Sequence, residues 1–491
     1  MKWFGILGFL LILALSQKVQ GQSATVTWGT THQTMDGFGG QTWLYSPTYS
    51  KAQMDTFYSS TSGIGLQIIR TSNWGCYISY PTSACPVVTS NMPELTTVAN
   101  AVSDGAVVEL NIQPPANLKV SGSFTVGTAG SNGSCVASAD FSALVTFTID
   151  WIEMMNANGA SVTYLFPFNE PDQPDQLGGC AWTAASEAAY IDVLGPALAA
   201  AGLGSIKIGI GENSGWFAKD YVSTCLADST CASYVSIVSA HGYGTAAGSP
   251  DGFTPKTGYC CATASSPPSY VAAWLAATPS HRLWMDEING GFTYNSTVSL
   301  WTWDPSTSDA MVWARNIHDY LTVAGVSGYN YWELTDCCVT EPGSGGPLND
   351  GLTESDPSTV STRYYVFGNW ARFIGPKWVR IDTTTNPQTG VYVTAFKDPG
   401  GTSYSIVALN SNSSATSQTF DLSGFPITAS VTPYTTTSSE AGLVEQTSVV
   451  VSSGTVTYTL PALSVTSFVG STAATSVTGP APPTALTDSV R

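Results

Sequence analysis

Positive charge is scarce in this chain. Lys and Arg number 16 against 34 Asp and Glu, the formal net charge is −18, and only 10% of residues are charged at all. So acidic a surface repels phosphate backbones, which argues against a nucleic-acid partner. Histidine is scarcer still, with four residues, none at a recognisable ligand spacing from the cysteines. No metal site and no cofactor are therefore expected. No Gly-x-Ser-x-Gly is present, and few histidines remain to act as base, which sets aside a serine-nucleophile esterase. Long apolar runs are missing after Leu15, so no membrane partner is expected.

What the chain does have begins with an export pattern. Lys2 precedes an apolar stretch from Trp3 to Leu15, and Val19-Gln20-Gly21 supplies small residues before Gln22. Residues 1–21 thus read as a signal peptide, too short in its apolar part to stay as an anchor, and the mature protein is expected to be secreted, extracellular and monomeric. Ser, Thr, Gly and Asn are abundant, which suits a neutral, hydroxyl-rich partner. The ten cysteines fit disulfides outside the cell. Cys76–Cys85 and Cys225–Cys231 read as local loops, while Cys260-Cys261 and Cys337-Cys338 could link two distant loops to each other.

From Gly37 to about Arg372 short apolar runs alternate with amphipathic stretches. Gly65–Arg70, Ala106–Leu110, Val162–Phe166, Ile206–Ile210, Tyr234–Val238, Arg282–Met285 and Gly328–Trp332 read as buried strands. Phe141–Asn156, Ser186–Ala201 and Asp309–Ala324 read as helices between them. This alternation implies a parallel sheet covered by helices, and the length suits an α/β fold of the (β/α)8 TIM-barrel kind. After Trp378 the pattern turns to β-branched runs separated by Asn, Gly and Ser, an all-β sandwich. The organisation expected is a signal peptide (1–21), an N-terminal strand given to the β-domain (22–35), the barrel (36–376), the sandwich (377–471) and a Pro/Thr/Ala-rich tail (472–491).

Phe168-Asn169-Glu170-Pro171 directly follows the Val162–Phe166 strand, and Glu287 follows Leu283-Trp284-Met285. In barrel order these are the fourth and seventh strands, whose C-terminal ends face each other across the mouth where active sites form. Two carboxylates flanking one bond are what glycoside cleavage needs. Asp172 and Asp286 adjoin them. Glu170 is preferred over Asp172 because it holds the strand-end position beside Asn169, whereas the residues alone leave Glu287 and Asp286 open. Asn169 is suited to a sugar hydroxyl, and Arg70 to holding a nucleophilic carboxylate ionised. Tyr243 is suited to bonding that carboxylate or the sugar near it. Trp74, Trp182, Trp216, Trp284 and Trp332 lie near strand ends as candidate sugar platforms, at least two of them expected in the core.

Together with these residues, Asp36-Gly37-Phe38-Gly39-Gly40, Asn169-Glu170-Pro171-Asp172, His241-Gly242-Tyr243-Gly244-Thr245 and Leu283-Trp284-Met285-Asp286-Glu287 resemble glycoside hydrolase family 30. Phe373-Ile374-Gly375-Pro376, Val379-Arg380-Ile381-Asp382 and Leu460–Val465 extend the resemblance to Val469. It implies a retaining mechanism, with Glu170 as general acid/base, Glu287 as nucleophile, and carboxyl groups about 5–5.5 Å apart. Its bacterial glucuronoxylan-cleaving branch is the most similar, implying an endo-acting enzyme on β-1,4-xylan. Endo-β-1,6-galactanase and β-1,6-glucanase activities, or a non-catalytic glycan-binding protein, are the alternatives. Ile112 stands where that branch has an aromatic, and Glu333 and Asp336 stand where it has a basic residue, so dependence on a glucuronate branch is not expected.

Overall fold

The computed structural model describes residues 22–42, 48–80, 82–92, 94–120, 133–172, 180–215, 220–242, 269–289, 293–295, 300–302, 304–335, 351–354, 357–426 and 429–472. The signal-peptide reading, all but the first residue of the tail, Tyr243, Trp216, Asp336 and the Cys260-Cys261 and Cys337-Cys338 pairs fall outside them. Among the described residues, no helix is long and apolar enough to cross a membrane.

Following β1 (Ser23–Thr34), the chain enters β2 (Gly37–Gln41), β3 (Ile68–Ser72), β4 (Val107–Asn111), β5 (Val162–Phe166), β6 (Lys207–Asn213), β7 (Val235–His241) and β8 (Arg282–Glu287). A short ladder, β9 (Thr293–Asn295) with β10 (Leu300–Thr302), precedes β11 (Gly328–Tyr331). Strands β2 to β8 and β11 close into an eight-stranded parallel barrel, with β11 pairing both β8 and β2. The lower interior is plugged by Ile68, Tyr164, Phe166, Ile237 and Trp284. Helices such as Phe141–Ala157 and Ala184–Ala200 cover the outside.

The observed strands outrun the apolar runs. Those runs stop at Arg70, Leu110, Ile210, Val238 and Met285, while the strands continue to Ser72, Asn111, Asn213, His241 and Glu287. Polar side chains occupy the last turns of strand because the barrel mouth supplies them with partners, so hydrophobicity ends before the ladder does. Strand β2 was legible only as a motif, since three glycines in five residues carry no strand propensity. Its glycines have a packing reason: a Cβ on Gly39 would meet Asn330 Oδ1 at 2.1 Å and the Ile68 carbonyl at 2.6 Å. The helix expected to run through Ala324 instead ends at Asp319 and continues as a π-helical turn, Tyr320–Ala324, stopped by left-handed Gly325.

The second sheet joins β1 to β12 (Val379–Thr383), β13 (Val391–Lys397), β14 (Ser403–Asn410), β15 (Thr416–Asp421), β16 (Ser430–Thr436), β17 (Val444–Glu445), β18 (Val449–Val450), β19 (Thr455–Leu460) and β20 (Ser464–Ser471). Strand β1 lies antiparallel to β12 and parallel to β15, so the N-terminal strand is built into the C-terminal sandwich. Two barrel helices fuse the units. Asn369 donates to the Tyr434 carbonyl and Ser467 Oγ, Trp370 Nε1 donates to Thr394 Oγ1, and Arg315 covers the Tyr392 ring at 3.9 Å. Phe396, Val407, Leu409 and Val465 belong to the same apolar cluster as the barrel.

Disulfides join Cys76–Cys85 and Cys225–Cys231, the two local loops, and also Cys135–Cys180. The last ties the segment before the Phe141 helix to the segment that follows the Glu170 loop.

Candidate active site

Arg70 Nε, Nη1 and Nη2 point in three directions from the middle of β3, and four carboxylates surround them. Nε donates to Glu109 Oε1 at 3.0 Å, Nη2 to Glu212 Oε2 at 2.8 Å, and Nη1 to Glu287 Oε2 and Gln41 Oε1. Nη2 also reaches Asn169 Oδ1 at 3.1 Å, and Asp286 Oδ2 lies 3.5 Å from Nε. Arg70 is 1% exposed, so these bonds form in a medium that screens little. Burial alone would weaken its charge, but Glu212, Glu287, Asp286 and Glu109 reverse this and hold the guanidinium firmly protonated.

His241, at the end of β7, completes the centre. Its Nδ1 lies 3.0 Å from Glu170 Oε1 and 3.6 Å from Glu287 Oε1, and its Nε2 lies 3.4 Å from Glu212 Oε2. Burial would discharge the ring, yet Glu287, Glu170 and Glu212 push its pKa up to about 10. The imidazole is therefore a cation at neutral pH, each nitrogen facing a carboxylate, while its Nε2 also lies 3.4 Å from Arg70 Nη2. One oxygen each of Glu170 and Glu287, with a His241 nitrogen, lie within 4.8 Å of one another. With the ring charged and its protons committed, this trio is a proton-handling set.

The carboxyls differ in environment. Burial raises Glu170, and the nearby Glu287 and Asp172 charges add to this, while the His241 bond works the other way and does not prevail. Burial also raises Glu212, but Arg70 and His241 overturn it and leave that carboxyl far below the usual range. Ser239 Oγ donates to Glu212 Oε1 at 2.5 Å, and Asn111 Nδ2 reaches Oε2 at 3.3 Å. Glu109 is pushed up to about 8, mainly by burial against the pull of Arg70. Asp286 is raised well above its ordinary value by burial and by Glu109 and Glu212. A carboxyl raised by burial, Glu170, close to one lowered by cations, Glu212, is a pattern suited to acid/base chemistry.

Backbone geometry fixes Glu170 in place. Glu170 and Glu212 adopt left-handed φ of 44° and 47°, costly for residues with a Cβ. The Glu170 amide donates to the Glu212 carbonyl at 2.8 Å, so the two turns hold each other. Asp172, the rival to Glu170, faces away: its oxygens accept from Ser214 N at 2.9 Å and Ser214 Oγ at 2.6 Å. Asp286 is fully buried, whereas Glu287 keeps 8% of its surface exposed at the mouth.

The structure thus brings Glu170, Glu287, Asn169 and Arg70 together. It separates the tryptophans. Trp284 is fully buried in the barrel plug, its Nε1 donating to Asp36 Oδ2 at 2.8 Å and its ring packed on Tyr164 and Phe166. Trp182 is fully buried among Phe141, Phe168 and Tyr190. Neither can offer a face to a sugar, which corrects their candidacy: a residue beside a strand end can point into the barrel or behind its loops. Trp74 and Trp332 meet edge to face at 6.5 Å and are 4% and 8% exposed, leaving narrow edges at the rim. Glu333 is fully buried, so it is not the cleft-facing charge its sequence position suggested.

Glu212, Glu109 and His241 carry much of the electrostatics and had no assigned role from sequence. A signal for the first two existed. Glu212 follows the Ile206–Ile210 run by two residues, as Glu287 follows Met285, and Glu109 interrupts an otherwise apolar strand.

The chain is similar to known proteins in both of its parts. The profile described as "Glycosyl hydrolase family 30 beta sandwich domain" matches residues 379–468. Glucuronoxylanase XynC of Bacillus subtilis (strain 168) is 24% identical over 479 residues, 95% of this chain and 96% of that protein. Among solved structures, the glycoside hydrolase family 30 subfamily 8 xylanase Xyn30A from Clostridium acetobutylicum superposes with a TM-score of 0.69 at 24% identity, over 91% of this chain and 99% of its own. The endo-beta1,6-glucanase BT3312 superposes with a TM-score of 0.64 at 19% identity, over 92% and 95%. The sandwich thus matches the domain profile of glycoside hydrolase family 30, and nearly the whole length of the chain is similar to a glucuronoxylanase and to a family 30 xylanase.

Proposed function

We propose that the enzyme cleaves the β-1,4-xylan backbone internally, outside the cell and as a monomer, with Glu287 as nucleophile and Glu170 as general acid/base. One observation carries the site assignment: oxygens of the two carboxyls approach within 4.8 Å across the mouth. So close an approach of one oxygen from each favours direct attack, since an inverting pair of carboxyl groups stands about 6.5–9.5 Å apart to admit a water. The barrel (36–376) is the catalytic unit, and the sandwich (377–471) with residues 22–35 its support. The three disulfides support action in an oxidising compartment.

In the first step Glu287 attacks the anomeric carbon while Glu170 passes its proton to the leaving oxygen, and the glycosidic bond breaks. Arg70 keeps Glu287 ionised and aimed, and His241 stabilises the carboxylate left on Glu170. The covalent ester removes the Glu287 charge, which is one of the influences holding Glu170 protonated. Glu170 thereby becomes a base, takes a proton from water, and that water's oxygen displaces Glu287 from the anomeric carbon. Asn169 accepts from Arg70 through Oδ1, which leaves its amide NH2 to donate to a sugar hydroxyl.

A glucuronate branch is not required in this reading. Among the described residues at the mouth, Arg70 and His241 are both committed to carboxylates. The test is reducing-end release from linear xylan, glucuronoxylan, arabinoxylan, β-1,6-glucan and β-1,6-galactan, with wild type, Glu170→Gln and Glu287→Gln. A ladder of oligosaccharides from linear xylan, lost in both variants, supports the proposal. Cleavage confined to glucuronoxylan or to either β-1,6-linked polymer contradicts the specificity, and activity surviving either substitution contradicts the site.

A further inference from the structure

Five carboxyls and two cations share the buried centre, and their hydrogen-bond donors can be counted. Glu212 accepts from Arg70 Nη2, Ser239 Oγ and Asn111 Nδ2 and faces His241 Nε2. Glu287 takes Arg70 Nη1 and faces His241 Nδ1. Two anions and two cations are then balanced, and Glu170 holds the proton it will donate. Glu109 and Asp286 remain, both fully buried.

These two side chains lie against the same donors. Asn330 Nδ2 gives one hydrogen to Glu109 Oε2 at 2.6 Å and the other to Asp286 Oδ1 at 2.8 Å. The single hydrogen on Arg70 Nε goes to Glu109 Oε1. Asp286 Oδ2 is left buried with no hydrogen-bond donor, 3.5 Å from that same Nε. Two ionised carboxylates here would place a further pair of uncompensated charges in a dry site, which proteins avoid by protonation. An orphan acceptor ceases to be one when it carries the proton itself.

We propose that Asp286 is a positioning residue held as a neutral carboxylic acid, its proton directed at the neighbouring Glu109 and Glu212 carboxylates, and that this neutrality keeps Arg70 committed to the nucleophile. The inference rests on Glu287 being that nucleophile. The groups facing Asp286 are Arg70 from β3, Glu109 from β4, Glu212 from β6 and Asn330 from β11. Losing the proton adds an anion that competes with Glu287 for Arg70.

The test is carbon-13 NMR of the full protein carrying aspartate labelled at the side-chain carboxyl, with the pH profile of kcat/KM. At pH 6, one aspartate resonance at the position of a neutral acid should be absent in Asp286→Asn. It should also shift in Glu109→Gln, which supplies the assignment if the first variant does not fold. Because asparagine mimics the neutral acid, the acid limb of Asp286→Asn should stay within about 0.3 unit of wild type. An ionised Asp286 would instead act on the acid limb as a neighbouring negative charge, and its removal would move that limb down by about one unit or more. That shift, or carboxylate-position resonances for every aspartate responding to either variant, overturns the proposal. The resonance reads protonation whichever residue attacks, so a wrong nucleophile shows separately, as activity surviving Glu287→Gln.

Discussion

Glu212→Gln is the perturbation that probes the centre most sharply, because it removes one charge and little volume. In the native site Glu212 Oε2 lies 3.4 Å from His241 Nε2, and both side chains are fully buried. A charge pair at that distance in an effective dielectric of about 20 interacts by about 4–5 kcal/mol, or about three pKa units. Arg70 also loses a partner and its unopposed charge pushes the same way. His241 should therefore fall from about 10 to about 7. The chain has only four histidines, so nitrogen-15 NMR of labelled histidine resolves the titration directly. Above pH 7 the variant should lose kcat/KM about tenfold per unit relative to wild type, because a neutral ring no longer stabilises the carboxylate left on Glu170. A His241 ring that is neutral in the wild type at pH 7, or that stays charged to pH 9 in Glu212→Gln, would refute the reasoning.

Other consequences follow from the same geometry. Stability should peak in mild acid and fall as pH rises. Raised folded-state values for Glu109, Asp286, Glu170 and His241 mean the native state binds more protons than the unfolded chain over about pH 4.5 to 10. Lowered Glu212 acts oppositely, and its stabilisation fades as pH drops below its ordinary value, so Tm measured from pH 3 to 9 should show a maximum near pH 4–5. A Tm still rising at pH 8 contradicts this. Arg70→Lys cannot reproduce the three-way fork, so kcat should drop about 100-fold or more with stability lowered by about 3–5 kcal/mol. Trp284→Ala should destabilise by about 3–5 kcal/mol in denaturant melts yet leave KM within about twofold, as fits a barrel plug. Removing the Cys135–Cys180 link, which spans 45 residues, should lower stability by about 2–4 kcal/mol and reduce kcat more than KM, because it anchors the segments beside Glu170.

Strand positions were legible because buried parallel strands are continuous apolar runs, and Val162–Phe166 has the same limits in sequence and structure. The ends were not, since hydrophobicity falls away at Ile210 and Val238 where the mouth begins, short of Glu212 and His241. Glu170 was visible as an acid at a strand end. Its left-handed φ was not, because that depends on the Glu212 carbonyl opposite. Side-chain direction was the other blind spot. Trp182 and Trp284 stand near strand ends in sequence just as Trp74 and Trp332 do, and only packing tells core from rim. Arg70 was read as a partner of the nucleophile, but its role as hub of four carboxylates depends on β3, β4, β6 and β8 curling into one barrel.

The most direct test is to trap the covalent intermediate. The wild-type enzyme would be treated with a 2-deoxy-2-fluoro xylo-oligosaccharide bearing a good leaving group, then digested and read by mass spectrometry. A single glycosyl adduct on Glu287, absent in Glu287→Gln, is the predicted result. An adduct on Asp286, Glu212 or Glu170, or turnover that proceeds with inverted anomeric configuration and no adduct, would contradict the account.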